Sequence, residues 1–300
     1  MDLILDTDIG TDVDDALALA FAMRHPRLRL RAVTTVSGDT EARAAIAARL
    51  LRLGGAPDLE VGAGRPGPPI QYGRRVWMGH EGAGLPEDDA PPAHSLRDAA
   101  SLIAQTCDGT VTVATIGMQA NLEEAIVRDP TLPGRIPLLA VMGGVMGPGA
   151  ADRPVTPADD HNLNADPPAA LSTLCSGVPL LIVPCDVTFR TYLDESHLRR
   201  LRGGDPLCRA LAALIDVWAP ILSGFARVPG QVAALHDPLA VACLVDQSFV
   251  RVETLPVRVF LENGIVRTSI DPQGGKPAEV VRDVDPAGFA EFFMQTILGD

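Results

Sequence analysis

Short aliphatic and β-branched runs alternate with longer Ala- and Leu-rich stretches along most of the chain, and this rhythm predicts strand–helix units around a mostly parallel sheet. Residues 3–5 and 28–36 predict the first two strands, with helices over 16–24 and 40–53. His25-Pro26 ends the first helix, because proline disfavours the helical region in the residue before it. The alternation continues with strands 59–63, 110–115, 136–142 and 180–183 and helices 95–107, 121–128, 168–176, 195–201 and 207–225, and another helix opens at His236. Strands 250–255, 257–261 and 265–270 read as a peripheral antiparallel part before a closing helix, 286–298. The expected fold is α/β: one domain over 1–300, built on an open, mostly parallel (mixed) sheet with helices on both faces.

Polar residues concentrate in the loops that follow strands. After Leu3-Ile4-Leu5 come Asp6, Asp8, Asp12, Asp14 and Asp15, five carboxylates within ten residues, and then an Ala/Leu run. A strand, an acidic turn and a helix in succession gather the acids at a carboxyl end of the sheet, where ligands bind in open α/β folds. Like charges this close need compensation, and oxygen donors without nearby Cys or His suit a hard cation, Ca²⁺ or Mg²⁺. An EF-hand does not fit, because counting from Asp6 puts Gly10 at position five and Leu17 at position twelve. A haloacid-dehalogenase-like phosphatase also opens with a strand and Asp-x-Asp, but the only lysine, Lys276, stands in a late Gly-rich loop. Simple solvation at a helix N-terminus accounts for Asp12, Asp14 and Asp15, though not for Asp6 and Asp8.

Other strand-end loops supply further candidates. Asp39 follows the second strand and is placed to cap the next helix or to meet a substrate. The Gly- and Pro-rich stretch 64–93 is long enough to suggest function and carries Trp77 and His80. Main-chain carbonyls of 116–121 face the same edge, Gly143-Gly144 closes another strand, and 147–166 ends in Asp160-His161-Asn162. His236-Asp237 opens a helix, a position from which both side chains can act or ligate. Trp218 and Phe225 share a helix face and read as core or as a platform for a base.

Composition narrows the class. The 300 residues are 47% hydrophobic, enough for a large core. A net charge of −13 with no basic stripe argues against nucleic acid as partner. Cys107, Cys175, Cys185, Cys208 and Cys243 are widely spaced and read as buried thiols in a reducing compartment. The chain starts directly with a strand, without a basic segment or apolar signal core, and no apolar run is long enough to span a bilayer. A cytoplasmic protein acting on a small molecule, with no membrane partner, is expected.

Taken in order, Asp6-Thr7-Asp8, Asp14-Asp15-Ala16-Leu17, Met142-Gly143-Gly144, Asp160-His161-Asn162 before Asp166-Pro167, and His236-Asp237-Pro238-Leu239-Ala240 resemble the inosine-uridine-preferring nucleoside hydrolases over nearly the whole chain. The resemblance implies Ca²⁺-dependent cleavage of a ribonucleoside by a homo-oligomer, dimer or tetramer. It implies metal ligands at Asp8, Asp15, Asp237 and the main-chain carbonyl of Ala120, with Asp8 also the general base. It further implies ribose contacts by Asp14 and Asn162, with Asp39 and Asp160 matching family substrate positions as Asp for Asn and Asp for Glu. His236 is the candidate acid for the leaving base, His80 a second groove histidine, and Trp218, Phe225 or Trp77 the stacking partner. Two extra residues between Asp8 and Asp14 bring Asp12 into contention for part of the Asp14 role, and Pro154 stands where the family offers Asn to the 5′ hydroxyl. A non-catalytic nucleoside binder that keeps the metal site is the competing expectation.

Overall fold

The computed structural model describes residues 1–86, 96–147, 154–224 and 229–299. Strands β1 (Asp2–Thr7), β2 (Arg29–Thr35), β3 (Val61–Ala63), β4 (Ile70–Gln71), β5 (Arg74–Arg75), β6 (Arg97–Asp98), β7 (Val111–Thr115), β8 (Leu139–Met142), β9 (Leu180–Val183), β10 (Tyr192–Asp194), β11 (Gln231–Ala234), β12 (Val250–Glu262), β13 (Ile265–Ile270) and β14 (Lys276–Val284) follow the chain. Ten of them form one sheet in the order β13-β12-β14-β9-β8-β7-β1-β2-β3-β6. The run from β6 to β14 is parallel, and β12 and β13 add an antiparallel edge. From β1 the chain winds outward through β2, β3 and β6, then returns to β7 on the other side of β1 and winds outward again. The reversal leaves a crevice at the carboxyl ends of β1 and β7, the switch point where such sheets bind ligands.

Helices α1 (Asp14–Arg24), α2 (Thr40–Leu53), α3 (Ala99–Thr106), α4 (Ala120–Arg128), α5 (Asn162–Ala165), α6 (Pro167–Leu174), α7 (Cys185–Thr188), α8 (Glu195–Arg202), α9 (Pro206–Leu222), α10 (His236–Ala242) and α11 (Pro286–Leu298) cover both faces. The central strand β1 is buried on both sides. Leu3 and Leu5 join Leu17, Phe21 and Phe293 in one core, while Ile4 points into a second core with Ile103, Leu122 and Leu174. Cys107, Cys185, Cys208 and Cys243 are buried, with burial pushing the Cys107 and Cys243 thiols up to about 12, but Cys175, just past the end of α6, is exposed, against the expectation of five buried thiols.

Five elements depart from the sequence reading. Helix α3 starts at Ala99, because Arg97 and Asp98 pair with β3 and the Asp98 carboxylate caps the helix through Ser101 N at 2.8 Å. The expected strands 250–255 and 257–261 are a single strand: Pro256, which has no N–H, sits where β12 exchanges its β14 partner for β13 around Val257. Strand β14 itself, and the β10–β11 ribbon, went unread. The ribbon matters for function, because Leu235 N donates to Thr191 O at 3.0 Å and fixes the start of α10.

Candidate active site

The acidic loop leaves β1 at Thr7 and re-enters helix at Asp14. Gly10 makes the turn at φ +120°, and a Cβ there would stand 2.8 Å from Ile46 Cδ1 of α2. Thr7 Oγ1 donates to Asp15 Oδ1, and Asp8 N donates to the same oxygen at 3.1 Å. Asp14 and Asp15 are buried in the first turn of α1, where the partial positive charge of the helix end favours them. One oxygen each of Asp12, Asp14 and Asp15 falls within 4.8 Å of the others.

Two further regions meet this loop. Asp237, 3% exposed at the start of α10, feels the charges of Asp14, Asp15, Asp12 and Asp8. Beside it, His236 Nδ1 lies 2.8 Å from Thr188 Oγ1 of α7, and the ring meets Phe189 edge-on at 4.7 Å. Asn162, at the first position of α5, donates through Nδ2 to Ile116 O at 2.7 Å and Met142 O at 3.2 Å, bridging the ends of β7 and β8. Asp8, Asp12, Asp14, Asp15, Asn162, His236 and Asp237 all line one cavity of about 340 Å³, with Trp218 on an apolar wall. That volume suits a small organic ligand.

Loss of hydration raises the pKa of Asp8, Asp14, Asp15 and Asp237, and mutual repulsion raises it further for each. The Arg43 guanidinium opposes that push at Asp8 and Asp15. Asp6, behind the loop, is driven up to about 7 by burial despite hydrogen bonds from Thr34 and Asn121. Among the described residues, Asp14 Oδ1 finds no hydrogen-bond partner although it is buried. Crowded carboxylate oxygens, one of them orphaned, form a donor set that fits a hard divalent cation.

Other residues singled out in the sequence lie elsewhere. Ala120 opens α4 and lines a separate groove with Arg65 and Tyr72, whereas Ile116, from the same 116–121 stretch, lines the cavity at the β7 end. Asp39 is exposed and caps α2, accepting from Ala42 N at 3.0 Å. Asp160 is 1% exposed and turned inward, accepting from Gly144 N at 2.7 Å and Leu163 N at 3.1 Å. His80 stands behind the loop, 2.6 Å from Thr11 O and stacked on Trp218 at 5.9 Å. Trp77 lies against Arg43 rather than in the cavity, and Phe225 falls outside the described residues. Lys276 begins β14, with Nζ 3.4 Å from Cys175 O and no place on the cavity wall. Sequence reading gave no role to Thr188, Phe189 or His161, of which His161 alone announces itself, inside Asp160-His161-Asn162, whereas Ile116 falls in the 116–121 stretch already singled out.

The pattern of the inosine-uridine preferring nucleoside hydrolase family matches residues 3–291. The chain belongs to that family. Like the family's other members it is a nucleoside hydrolase, an enzyme of N-glycosidic bonds, and the family is metal-dependent. A pyrimidine-specific ribonucleoside hydrolase, RihA, of Salmonella agona is 29% identical over 98% of this chain and 97% of its own length. A purine-preferring ribonucleoside hydrolase from Gardnerella vaginalis superposes with a TM-score of 0.82 at 25% identity, covering 100% of this chain and 98% of that one. A plant nucleoside hydrolase at 24% identity, covering 100% of this chain and 99% of that one, shares the fold with a TM-score of 0.81. Family membership removes the phosphatase and binder alternatives. Among the described residues no helix is long and apolar enough to cross a membrane.

Proposed function

We propose that this nucleoside hydrolase cleaves ribonucleosides, purine and/or pyrimidine, to free base and ribose with Ca²⁺ at the acidic loop. The observation that carries the reading is the convergence of Asp8, Asp14, Asp15 and Asp237 on one cavity that also holds His236 and Asn162. Asp8, Asp15 and Asp237 are the proposed carboxylate ligands, and Asp12 is close enough to share the task. The proposed main-chain ligand is the Ala120 carbonyl, in the 116–121 stretch whose Ile116 lines the cavity.

Breaking an N-glycosidic bond builds positive charge on the sugar ring, and the carboxylates are set to stabilise it. When bound, a hard divalent cation compensates the acids, offers positions for a sugar diol and acidifies a water. Asp8 takes the proton of the attacking water. Asp14 holds a ribose hydroxyl. Asn162 spends its amide N–H groups on Ile116 and Met142, so its Oδ1 is the atom assigned to accept from another. His236 is held through Nδ1 by Thr188, which assigns Nε2 the delivery of a proton to the leaving base. Trp218 supplies an apolar wall for that base.

The continuous sheet, which takes strands from Asp2 to Val284, supports a single domain. Exposed Ile70, Tyr72 and Val127 supply apolar surface for a homo-oligomer, dimer or tetramer, acting in the cytoplasm. Incubating the protein with a panel of nucleosides and Ca²⁺ and assaying free ribose tests the reading. Release from at least one nucleoside is expected; none from any would overturn the substrate class, and full rate after EDTA and dialysis would overturn the metal requirement.

A further inference from the structure

Arg43 of α2 is fully buried, an unusual place for a guanidinium unless every donor is satisfied. Its Nε donates to Ser37 O at 2.8 Å, at the end of β2. Nη1 donates to Asp8 O and, at 2.8 Å, to Ile9 O. Nη2 donates to Thr11 Oγ1 at 3.0 Å and to Val76 O. An arginine has five N–H donors, and these acceptors use them all. Trp77 covers the ion at 5.3 Å from its ring centre.

We propose that Arg43 is a positioning residue, which ties the acidic loop and the 76–81 segment into one ordered unit so that the carboxylates of the loop are held ready for a cation. The proposal rests on the metal reading given above. Its acceptors set Arg43 apart from an ordinary core residue: Asp8, Thr11 and Val76 all line the catalytic cavity and come from two loops far apart in the chain. The same two loops interlock a second time. Thr11 Oγ1 donates to Glu81 Oε1 at 3.2 Å, Glu81 is held by Met78 N at 2.6 Å and Gly79 N at 2.7 Å, and His80 Nε2 meets Thr11 O at 2.6 Å. His80 is thus part of the fastening between loops. A fixed planar fork can serve three chain segments at once; an ammonium, with three donors on a flexible stem, cannot.

The test compares metal-free wild type, Arg43→Lys and Leu50→Ala by hydrogen–deuterium exchange, with circular dichroism to establish folding. Leu50 is a buried residue of the same helix in the hydrophobic core, so its truncation reports mere weakening of α2. In Arg43→Lys protein, amides of both 8–15 and 76–81 should exchange at least about tenfold faster than in Leu50→Ala protein, and Ca²⁺ titrated alone should bind about tenfold more weakly. If Arg43→Lys does not fold, Arg43→Gln takes its place in the same comparison. Exchange in the two segments no faster than in Leu50→Ala protein overturns the proposal. Absence of Ca²⁺ binding by wild type would instead count against the metal reading, and the exchange comparison would still decide the role of Arg43.

Discussion

Aspartates do opposite things in two regions of this molecule. On the surface, Asp194 caps α8 and its pKa falls to about 2, chiefly through the Ser196 hydroxyl, while Asp2 falls to about 2 beside Arg29. In the cavity, burial first and repulsion second raise Asp8, Asp14, Asp15 and Asp237. The surface carboxylates are placed where their charge is already answered by donors, so they stabilise the fold. Those of the cavity are answered only in part, by Arg43, the Thr7 hydroxyl, the Asp8 amide and a helix end, so they oppose the metal-free fold and favour a cation. Such a division between stability and function is the usual sign of a working site.

The sharpest way to break the contrast is to remove a cavity acid. Asp8→Ala should lower kcat by about 10³-fold or more, with no loss of metal-free melting temperature; turnover within a few-fold of wild type would deny Asp8 its role. His236→Ala should come next, slowing purine nucleosides by about 10²-fold. Aryl ribosides with good leaving groups should be slowed far less, and equal losses for both substrates would remove the leaving-group assignment.

Stability then separates the two regions. Asp15→Asn, tested in EDTA, should raise the melting temperature by about 2–4 °C through relief of repulsion, and with Ca²⁺ present the order should reverse. The pH dependence has a definite sign. Groups such as Asp6, raised to about 7, bind protons in the folded state that the unfolded chain has released, so metal-free protein should lose stability as pH rises from about 4 to 7. A metal-free melting temperature that climbs across that interval would contradict the account.

The same contrast governs what could be read from sequence. The acidic loop was legible because its carboxylates are adjacent in the chain, and the sheet was legible because its parallel strands are buried runs. Main-chain contacts leave no side-chain signature, which is why the sequence cannot tell one carbonyl of 116–121 from another, and why Arg43, whose acceptors are mostly carbonyls, is not singled out there. Asp39 offers both a cap and a substrate contact, and the Ala42 amide N–H in the first turn of α2 uses its carboxylate. Asp160 reads as a site residue by position alone, yet the tight turn at Gly143 and Gly144 presents an amide that draws its carboxylate inward. Strand β14 carries a legible alternation in part, with Ala278 and Val280 inward and Glu279 outward, but its Lys and Asp content masks it.

The smallest effect expected is at the surface end of the comparison, and it is the one that tests whether the contrast is real. Asp194 accepts from Ser196 N at 2.8 Å and His197 N at 3.2 Å, satisfying amides that the first turn of α8 leaves without helical partners. Asp194→Ala should therefore cost about 1 kcal/mol. Because the folded pKa of about 2 lies below the unfolded value, the contribution is present above about pH 4 and is lost as pH falls toward 2, the reverse of the cavity acids. Measured by urea unfolding of the metal-free protein at pH 3 and pH 7, the difference between wild type and variant should shrink at the lower pH. A difference that grows there would mean that the charge at Asp194 opposes folding, and that surface and cavity aspartates differ only in degree.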